Sequence, residues 1–178
     1  MKYRGDLNTE KQNKKSLEID DMEISEILRT INNEDASIAN AVRTGLPEIE
    51  ETINYTVSSV KNGGRIFYVG AGTSGRLGVL DASEIPPTFS ASNNIFIGII
   101  SGGDKALRKS VEGAEDSEDD GLKDIKHFNL DEKDTVIGIS CSGAASYVIS
   151  ALDHANGKGA KTVYLVTNPS PHLMTNVN

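Results

Sequence analysis

The chain has 178 residues, of which 37% are hydrophobic and 25% charged, a balance typical of one globular domain. Its formal net charge of -8 argues against the broad basic surface with which nucleic-acid-binding proteins contact phosphates. There is no run of about 18 apolar residues and no apolar signal core at the N-terminus, so we expect neither membrane insertion nor export. The single cysteine, Cys141, fits a reducing compartment, and we expect a cytoplasmic protein.

The first third of the chain predicts a polar arm followed by helices. Residues 2–13 are polar and unpatterned, which indicates a loosely held arm. Apolar residues at helical spacing then stop at Asn32-Asn33 and predict one short helix. A second apolar series from Ile38 to Val60 predicts a long amphipathic stretch broken near Pro47. Its apolar stripe would cover either the sheet of the same chain, the more common arrangement, or a second subunit.

Four short apolar runs after Gly64 predict strands, at residues 65–69, 95–100, 135–139 and 162–166. Continuous rather than alternating apolar runs suit strands that are covered on both faces, and the segments between them are long enough for crossover helices. We therefore expect an α/β three-layer sandwich with a parallel sheet, in which ligands bind beyond the carboxyl ends of the strands. We divide the chain into an N-terminal arm with helices, residues 1–62, and a ligand-binding domain, residues 63–178.

The loop after the first predicted strand, Gly70 to Gly75, matches the dinucleotide fingerprint G-x-G-x-x-G. That fingerprint also needs an acidic residue after the next strand to hold a ribose, and residues 101–103 are Ser-Gly-Gly. The hydroxyls of Thr73 and Ser74, together with backbone N–H groups at a helix start, suit a phosphate ester. A phosphosugar is therefore favoured over NAD, and a tight glycine turn without a ligand is the alternative.

A second hydroxyl-rich turn, Ser140 to Gly143, follows the third predicted strand and precedes a helical segment. Ser142 is a further candidate for phosphate binding, although a helix N-cap alone would explain it. Cys141 has no histidine near it in sequence, so we interpret it as a structural cysteine. The histidines share no ligand spacing, and no metal site is expected: His127, His154 and His172.

Two acidic residues stand in unusual contexts. Glu84 precedes Pro86-Pro87, and the double proline predicts an extended exit from the preceding helix. Glu115 lies in an acidic cluster after the second predicted strand, just before residues 117–120, whose charges are typical of a solvated face. Only a family resemblance raises Glu84 and Glu115 above ordinary surface charges.

That resemblance is to the N-acetylmuramic acid 6-phosphate etherases. It rests on the contiguous segments 70–78 and 80–88, on a second motif at 111–116, and on Thr9-Glu10 and residues 16–20 of the arm. The resemblance covers nearly the whole chain. It implies a sugar isomerase (SIS) fold, a homodimer, no metal or organic cofactor, and cleavage of the lactyl ether of N-acetylmuramic acid 6-phosphate in cell-wall recycling. The products would be N-acetylglucosamine 6-phosphate and D-lactate.

The implied reaction needs general acid–base catalysis, because an ether leaves readily only next to a carbanion and with its oxygen protonated. Once the sugar ring opens, a base removes the proton on C2 next to the aldehyde, lactate departs from C3, and water adds to the unsaturated aldehyde. By resemblance, Glu84 is the proton donor and Glu115 the base and activator of water. A donor that keeps its proton at neutral pH needs burial or a like-charged neighbour. The candidate substrate-binding residues are Gly72, Thr73, Ser74, Ser140, Ser142 and Gly143.

The chain departs from the family at two places. The family's turn after the third strand usually has the sequence Ser-Gly-Arg-Thr-Pro, whereas residues 142–146 are Ser-Gly-Ala-Ala-Ser. If that threonine holds the phosphate in the family, its loss removes a charge-assisted contact worth about 1.5–3 kcal/mol, or about ten- to a hundredfold in affinity. Family members also continue well beyond residue 178, so we expect a sheet that is incomplete on its C-terminal side, in either a fragment or a truncated product. A non-catalytic phosphosugar-binding protein and an aldose–ketose isomerase are the alternative functions.

Overall fold

Four strands form the centre of the structure, a computed structural model that describes residue 5 and residues 7–178. They are β1 Ile66–Gly70, β2 Phe96–Ile100, β3 Thr135–Ile139 and β4 Lys161–Leu165. All neighbouring pairs are parallel, in the order β2-β1-β3-β4, which confirms the four predicted strands and the parallel sheet. The ends of β1 and β3 lie side by side, because Gly70 pairs with Ile139. The glycine loop and the serine loop therefore leave the sheet next to each other.

Four helices follow in the second part of the chain: α3 Gly72–Phe89, α4 Gly103–Arg108, α5 Glu118–Lys126 and α6 Ser146–Gly157. Alternation along β1 separates the two layers, because Tyr68 faces α3 whereas Phe67 and Val69 face the buried cluster formed with α5 and α6. A Cβ on Gly138 would lie 2.7 Å from side-chain atoms of both Val148 and Leu152, so the glycine lets α6 approach β3 closely. The predicted three-layer arrangement is confirmed.

The N-terminal helices are α1 Ile24–Thr44 and α2 Leu46–Lys61. The prediction of a short helix that ends at Asn32-Asn33 is wrong, because α1 continues through both residues. Asparagine in a helix costs only a fraction of a kcal/mol, and Ile31 and Ile38 are seven residues apart and so lie on one face. The predicted break near Pro47 is confirmed: α1 ends at Thr44, Gly45 separates the two helices, and Pro47 stands in the first turn of α2, where its missing N–H costs nothing.

The apolar stripe of α1 and α2 does not cover the sheet, contrary to the arrangement that we considered more common. α2 meets the sheet through Ser59, which is buried and whose Oγ lies 2.7 Å from Oγ1 of Thr135. The stripe residues are 40% to 77% exposed. They are Ile24, Leu28, Ile31, Ile38, Val42, Leu46, Ile49, Ile53, Val57 and Val60.

The predicted extended exit at Pro86-Pro87 is also wrong, because both prolines lie inside α3, which ends at Phe89. The missing N–H donors fall in the last turn, where breaking the hydrogen-bond ladder disturbs little of the helix. The chain then leaves at Ser90 with a left-handed φ of 54°. Within residues 5 and 7–178, no helix is both long and apolar enough to cross a membrane.

Candidate active site

The glycine loop turns sharply from β1 into α3. Gly72 has a φ of 55°, and a Cβ on Gly75 would lie 2.6 Å from the carbonyl oxygen of Gly70, so both positions favour glycine. Gly75, the third glycine of the motif, thus allows the helix to pack closely on the strand. A tight glycine turn that binds no ligand would need the same packing. The N-terminus of α3 nevertheless has no side-chain cap, so its first-turn N–H groups and the adjacent hydroxyls of Thr73 and Ser74 are available to an anion.

The serine loop leaves β3 beside it. Ser140 is buried, and Ala145 rather than Ser142 occupies the N-cap of α6, so capping does not explain Ser142. Gly143 contacts a segment that is remote in sequence. It is buried with a φ of 70°, its carbonyl oxygen accepts a hydrogen bond from the backbone N–H of Leu173, and a Cβ would lie 2.3 Å from Pro171.

A cavity of about 320 Å³ lies between the two loops at the carboxyl ends of the strands. Six of the eight predicted site residues line it: Gly72, Thr73, Ser74, Glu115, Ser140 and Ser142. Cys141 is exposed and also lines this cavity. Because the described lining contains no lysine or arginine, hydroxyl and backbone N–H groups are its donors for an anion.

Glu115 reaches the cavity from a short 3-10 turn, Ala114–Asp116, that follows Gly113. Ser101 anchors this turn: its side chain is buried at the end of β2, and its Oγ donates a 2.6 Å hydrogen bond to the carbonyl oxygen of Ala114. In the sequence, Ser101 stands where a dinucleotide-binding loop would need a ribose-binding acid. Its position after β2 was the signal that could have identified it as a support for Glu115.

Glu84 is not brought to this cavity within the chain. It lies twelve residues after Gly72 on α3, or about 18 Å along the helix axis. Its side chain is exposed, on the same face as Leu77 and Leu80, which are 58% and 57% exposed. Within one subunit, the two carboxyl groups of the expected mechanism are therefore far apart.

The described part of the N-terminal arm contributes two lining residues that we did not predict, Thr9 and Glu10. They belong to a 3-10 turn, Asn8–Glu10, and the preceding Leu7 is buried, with 4% of its surface exposed. Leu7, Thr9 and Glu10 thus place one turn of the arm against the cavity, whereas polar composition indicated a loosely held segment. Residues 1–4 and 6 lie outside the described part of the chain.

One tyrosine beside the cavity has a pKa that differs from its ordinary value. Burial raises the pKa of Tyr164 on β4, and the nearby Ser140 side chain partly opposes that rise. Among the described residues, no cluster of three or more histidine, cysteine, aspartate or glutamate side chains is arranged to hold a metal ion.

Comparisons with known proteins agree with this architecture. A phosphoheptose isomerase from Francisella tularensis superposes with a TM-score of 0.60 at 24% identity, covering 78% of this chain and 74% of that one. A phosphoheptose isomerase from Neisseria gonorrhoeae superposes with a TM-score of 0.50 at 18% identity, covering 76% and 73%. At these identities the likeness concerns the fold alone.

Two curated relatives found by sequence share a higher identity with this chain than these solved structures do. N-acetylmuramic acid 6-phosphate etherase 1 of Bacillus licheniformis is 51% identical over 93% of this chain and 55% of its own length. The N-acetylmuramic acid 6-phosphate etherase of Jannaschia sp. is 50% identical over 93% of this chain and 52% of its own length. The chain thus spans about half the length of the curated relatives it matches.

A family model, that of the glucokinase regulatory protein N-terminal SIS domain, matches residues 48–156, more than half of the chain. The match begins inside α2 and continues through β1, β2 and β3 into α6. It therefore includes both loops that line the cavity, as well as Glu115. The chain belongs to the SIS-domain family, and in sequence it corresponds to the N-terminal part of the N-acetylmuramic acid 6-phosphate etherases.

Proposed function

We propose that this chain forms the phosphosugar site of an enzyme that cleaves the lactyl ether of N-acetylmuramic acid 6-phosphate, giving N-acetylglucosamine 6-phosphate and D-lactate. The observation that carries the proposal is that Glu115 lines the same cavity as the hydroxyls of Thr73, Ser74, Ser140 and Ser142. Relatives that are 45% to 51% identical and bear the etherase name support the choice of substrate. The cellular setting would be cytoplasmic recycling of cell-wall sugars.

In this mechanism the hydroxyl and N–H groups of the two loops hold the phosphate, which fixes the open-chain sugar with C2 near Glu115. Glu115 takes the proton from C2, and the resulting carbanion is stabilised by the adjacent aldehyde. The C3–O bond then breaks and D-lactate leaves with a proton on its ether oxygen. Glu115 releases the C2 proton to solvent, takes a proton from the water whose oxygen adds to C3, and then gives that proton to C2.

We further propose that the active form is a homodimer and that Glu84 acts as the proton donor only in that assembly. Glu84 shares its face of α3 with Leu77 and Leu80, and the stripe on α1 and α2 is similarly exposed. A second copy that covers these apolar surfaces would also remove Glu84 from water, which favours its protonated form.

For the domain organisation, we propose that residues 1–62 form the arm and the N-terminal helices and that residues 63–178 form the SIS domain.

The test is to incubate the purified chain with N-acetylmuramic acid 6-phosphate in deuterium oxide and to assay D-lactate and the sugar product. We expect D-lactate in equal amount to N-acetylglucosamine 6-phosphate, with deuterium on C2 because that proton is exchanged during elimination and hydration. Glu115→Gln, which keeps the shape of the side chain, is expected to lower kcat by about a hundredfold or more.

Two results would contradict the proposal. A folded protein that releases no D-lactate does not catalyse the reaction, and lactate release without deuterium on C2 would exclude the elimination route. Isomerisation of the sugar without lactate release would instead indicate an aldose–ketose isomerase.

A further inference from the structure

A second cavity, of about 270 Å³, adjoins the first and shares Ala71, Gly72 and Glu115 with it. Its remaining walls come from α3, α4 and the segment 110–114. Glu115 thus stands at the junction of two compartments, one of which carries the hydroxyls of the glycine and serine loops. The mechanism proposed above uses the first compartment and Glu115, and it leaves the second compartment without an occupant.

The second compartment contains a cation. Arg76, on the second turn of α3, is half-buried in its wall, and its Nε donates a 3.0 Å hydrogen bond to the carbonyl oxygen of Ala106. That bond fixes the guanidinium in place. In the described part of the chain, Nη1 and Nη2 donate to no residue, and the ion pairs are Lys15–Glu34 and Arg65–Asp134. Two parallel N–H donors are the group that binds a carboxylate in a bidentate manner.

In the described part of the chain, one cation and two carboxylates, those of Glu112 and Glu115, line this compartment, so an anion would bind there at the cation. Glu112 is also in its wall, but Ser110 Oγ donates a 2.6 Å hydrogen bond to its Oε1, so this carboxylate already has a partner. The first compartment holds no lysine or arginine among its described lining residues. Among the described lining residues of the two compartments, Arg76 is therefore the cation available to an anion that spans both.

We propose that Arg76 binds the lactyl carboxylate of the substrate, an inference that rests on the proposed function. The substrate carries its phosphate on C6 and its lactyl group on C3, with C2 and the breaking ether bond at the C3 end. A phosphate in the first compartment and C2 beside Glu115 leave the lactyl group to extend into the second, where its carboxylate meets Arg76. The product lacks that group, so Arg76 favours substrate over N-acetylglucosamine 6-phosphate.

The test compares two ligands in the full chain carrying Glu115→Gln, which slows turnover so that substrate binding can be measured. Binding of N-acetylmuramic acid 6-phosphate and of N-acetylglucosamine 6-phosphate is measured by calorimetry with and without Arg76→Gln. We expect Arg76→Gln to weaken binding of the first ligand about ten- to a hundredfold, because a charge-assisted pair is lost, and to leave binding of the second unchanged.

Arg76→Lys is the matched control, because it keeps the charge and the aliphatic stem but not the two-pronged geometry. We expect it to reduce the preference for the lactyl ligand by an intermediate factor, and it keeps the test decisive if Arg76→Gln does not fold. An equal loss of both ligands would overturn the proposal and assign Arg76 to the phosphate or to loop structure. Unchanged binding of both ligands in the two variants would overturn it as well.

Failure of this inference is distinguishable from failure of the proposed function. If the chain with Arg76 and Glu115 intact releases D-lactate but the Arg76 variants keep the full ligand preference, only the carboxylate site is wrong. If that chain neither releases D-lactate nor binds N-acetylmuramic acid 6-phosphate, the proposed function fails and the carboxylate site fails with it.

Discussion

The N-terminal helical pair and the α/β sandwich have equally regular apolar patterns but opposite surroundings. Core residues such as Leu152 and Val148 on α6 are fully buried, whereas the stripe on α1 and α2 is at least 40% exposed throughout. The ion pairs differ in the same way: Asp134 in the sandwich is 1% exposed, and Lys15, which pairs with Glu34 of α1, is 69% exposed. A periodic pattern thus indicates that a helix forms, but it does not indicate what covers the helix.

The largest effect should come from the buried ion pair of the sandwich. Asp134 accepts hydrogen bonds from the backbone N–H of Arg65 at 2.8 Å, from its Nε and Nη2, and from the backbone N–H of Asp131. Asp134→Ala leaves these donors without their acceptor, and we expect a loss of about 3–5 kcal/mol in the free energy of unfolding, measured by urea denaturation. A loss below about 1 kcal/mol would contradict the structural role of this pair.

A cavity in the core should cost nearly as much. Leu152 is fully buried and lies close enough to β3 to require a glycine at position 138. Leu152→Ala is expected to lower the free energy of unfolding by about 2–5 kcal/mol. Leu28→Ala in the stripe is the matched control, because Leu28 is 63% exposed, and at protein concentrations where the chain is monomeric we expect a change within about 0.5 kcal/mol. Equal losses in the two variants would remove the contrast between the regions.

The stripe should matter for association instead. Leu28→Asp places a charge in the exposed apolar surface of α1, and we expect it to shift the homodimer proposed above towards monomer in sedimentation velocity experiments. Asn40→Asp adds the same charge to α1 away from the stripe and is expected to leave association unchanged. If the parent chain sediments as a monomer, or if both variants behave alike, the stripe is not the dimer interface.

The smallest effect should come from the exposed ion pair. Hydrogen bonds from Lys15 and Asn13 hold the pKa of Glu34 below its usual value of 4.5. Because the folded state binds the proton less readily, the contribution to stability is present above pH 4.5 and is lost as the pH falls through the lowered pKa. Unfolding measured between pH 3 and pH 6 should show a small advantage of the parent over Glu34→Gln that disappears towards the acid end. A difference independent of pH would exclude this origin.

Much of the site was predictable because its determinants are local. The glycines of residues 70–75 require a tight turn, and the hydroxyls of Thr73, Ser74, Ser140 and Ser142 follow neighbouring parallel strands, whose carboxyl ends must meet at one edge of the sheet. The position of Gly143 was not predictable, because its contact is with Pro171, remote in sequence. The contribution of Thr9 and Glu10 depends in the same way on where the arm folds back.

The sequence by itself determined the four strands, the helices between them, the two loops that line the first cavity, and the family, since each depends on short-range patterns of residue type. Tertiary structure alone decided that the stripe is exposed, that Ser101 supports Glu115, and that Glu84 lies about 18 Å along α3 from the cavity. It also decided that Arg76 faces a compartment adjoining the cavity between the glycine loop and the serine loop. These properties depend on which surfaces meet after folding, and the spacing of residues along the chain does not specify that.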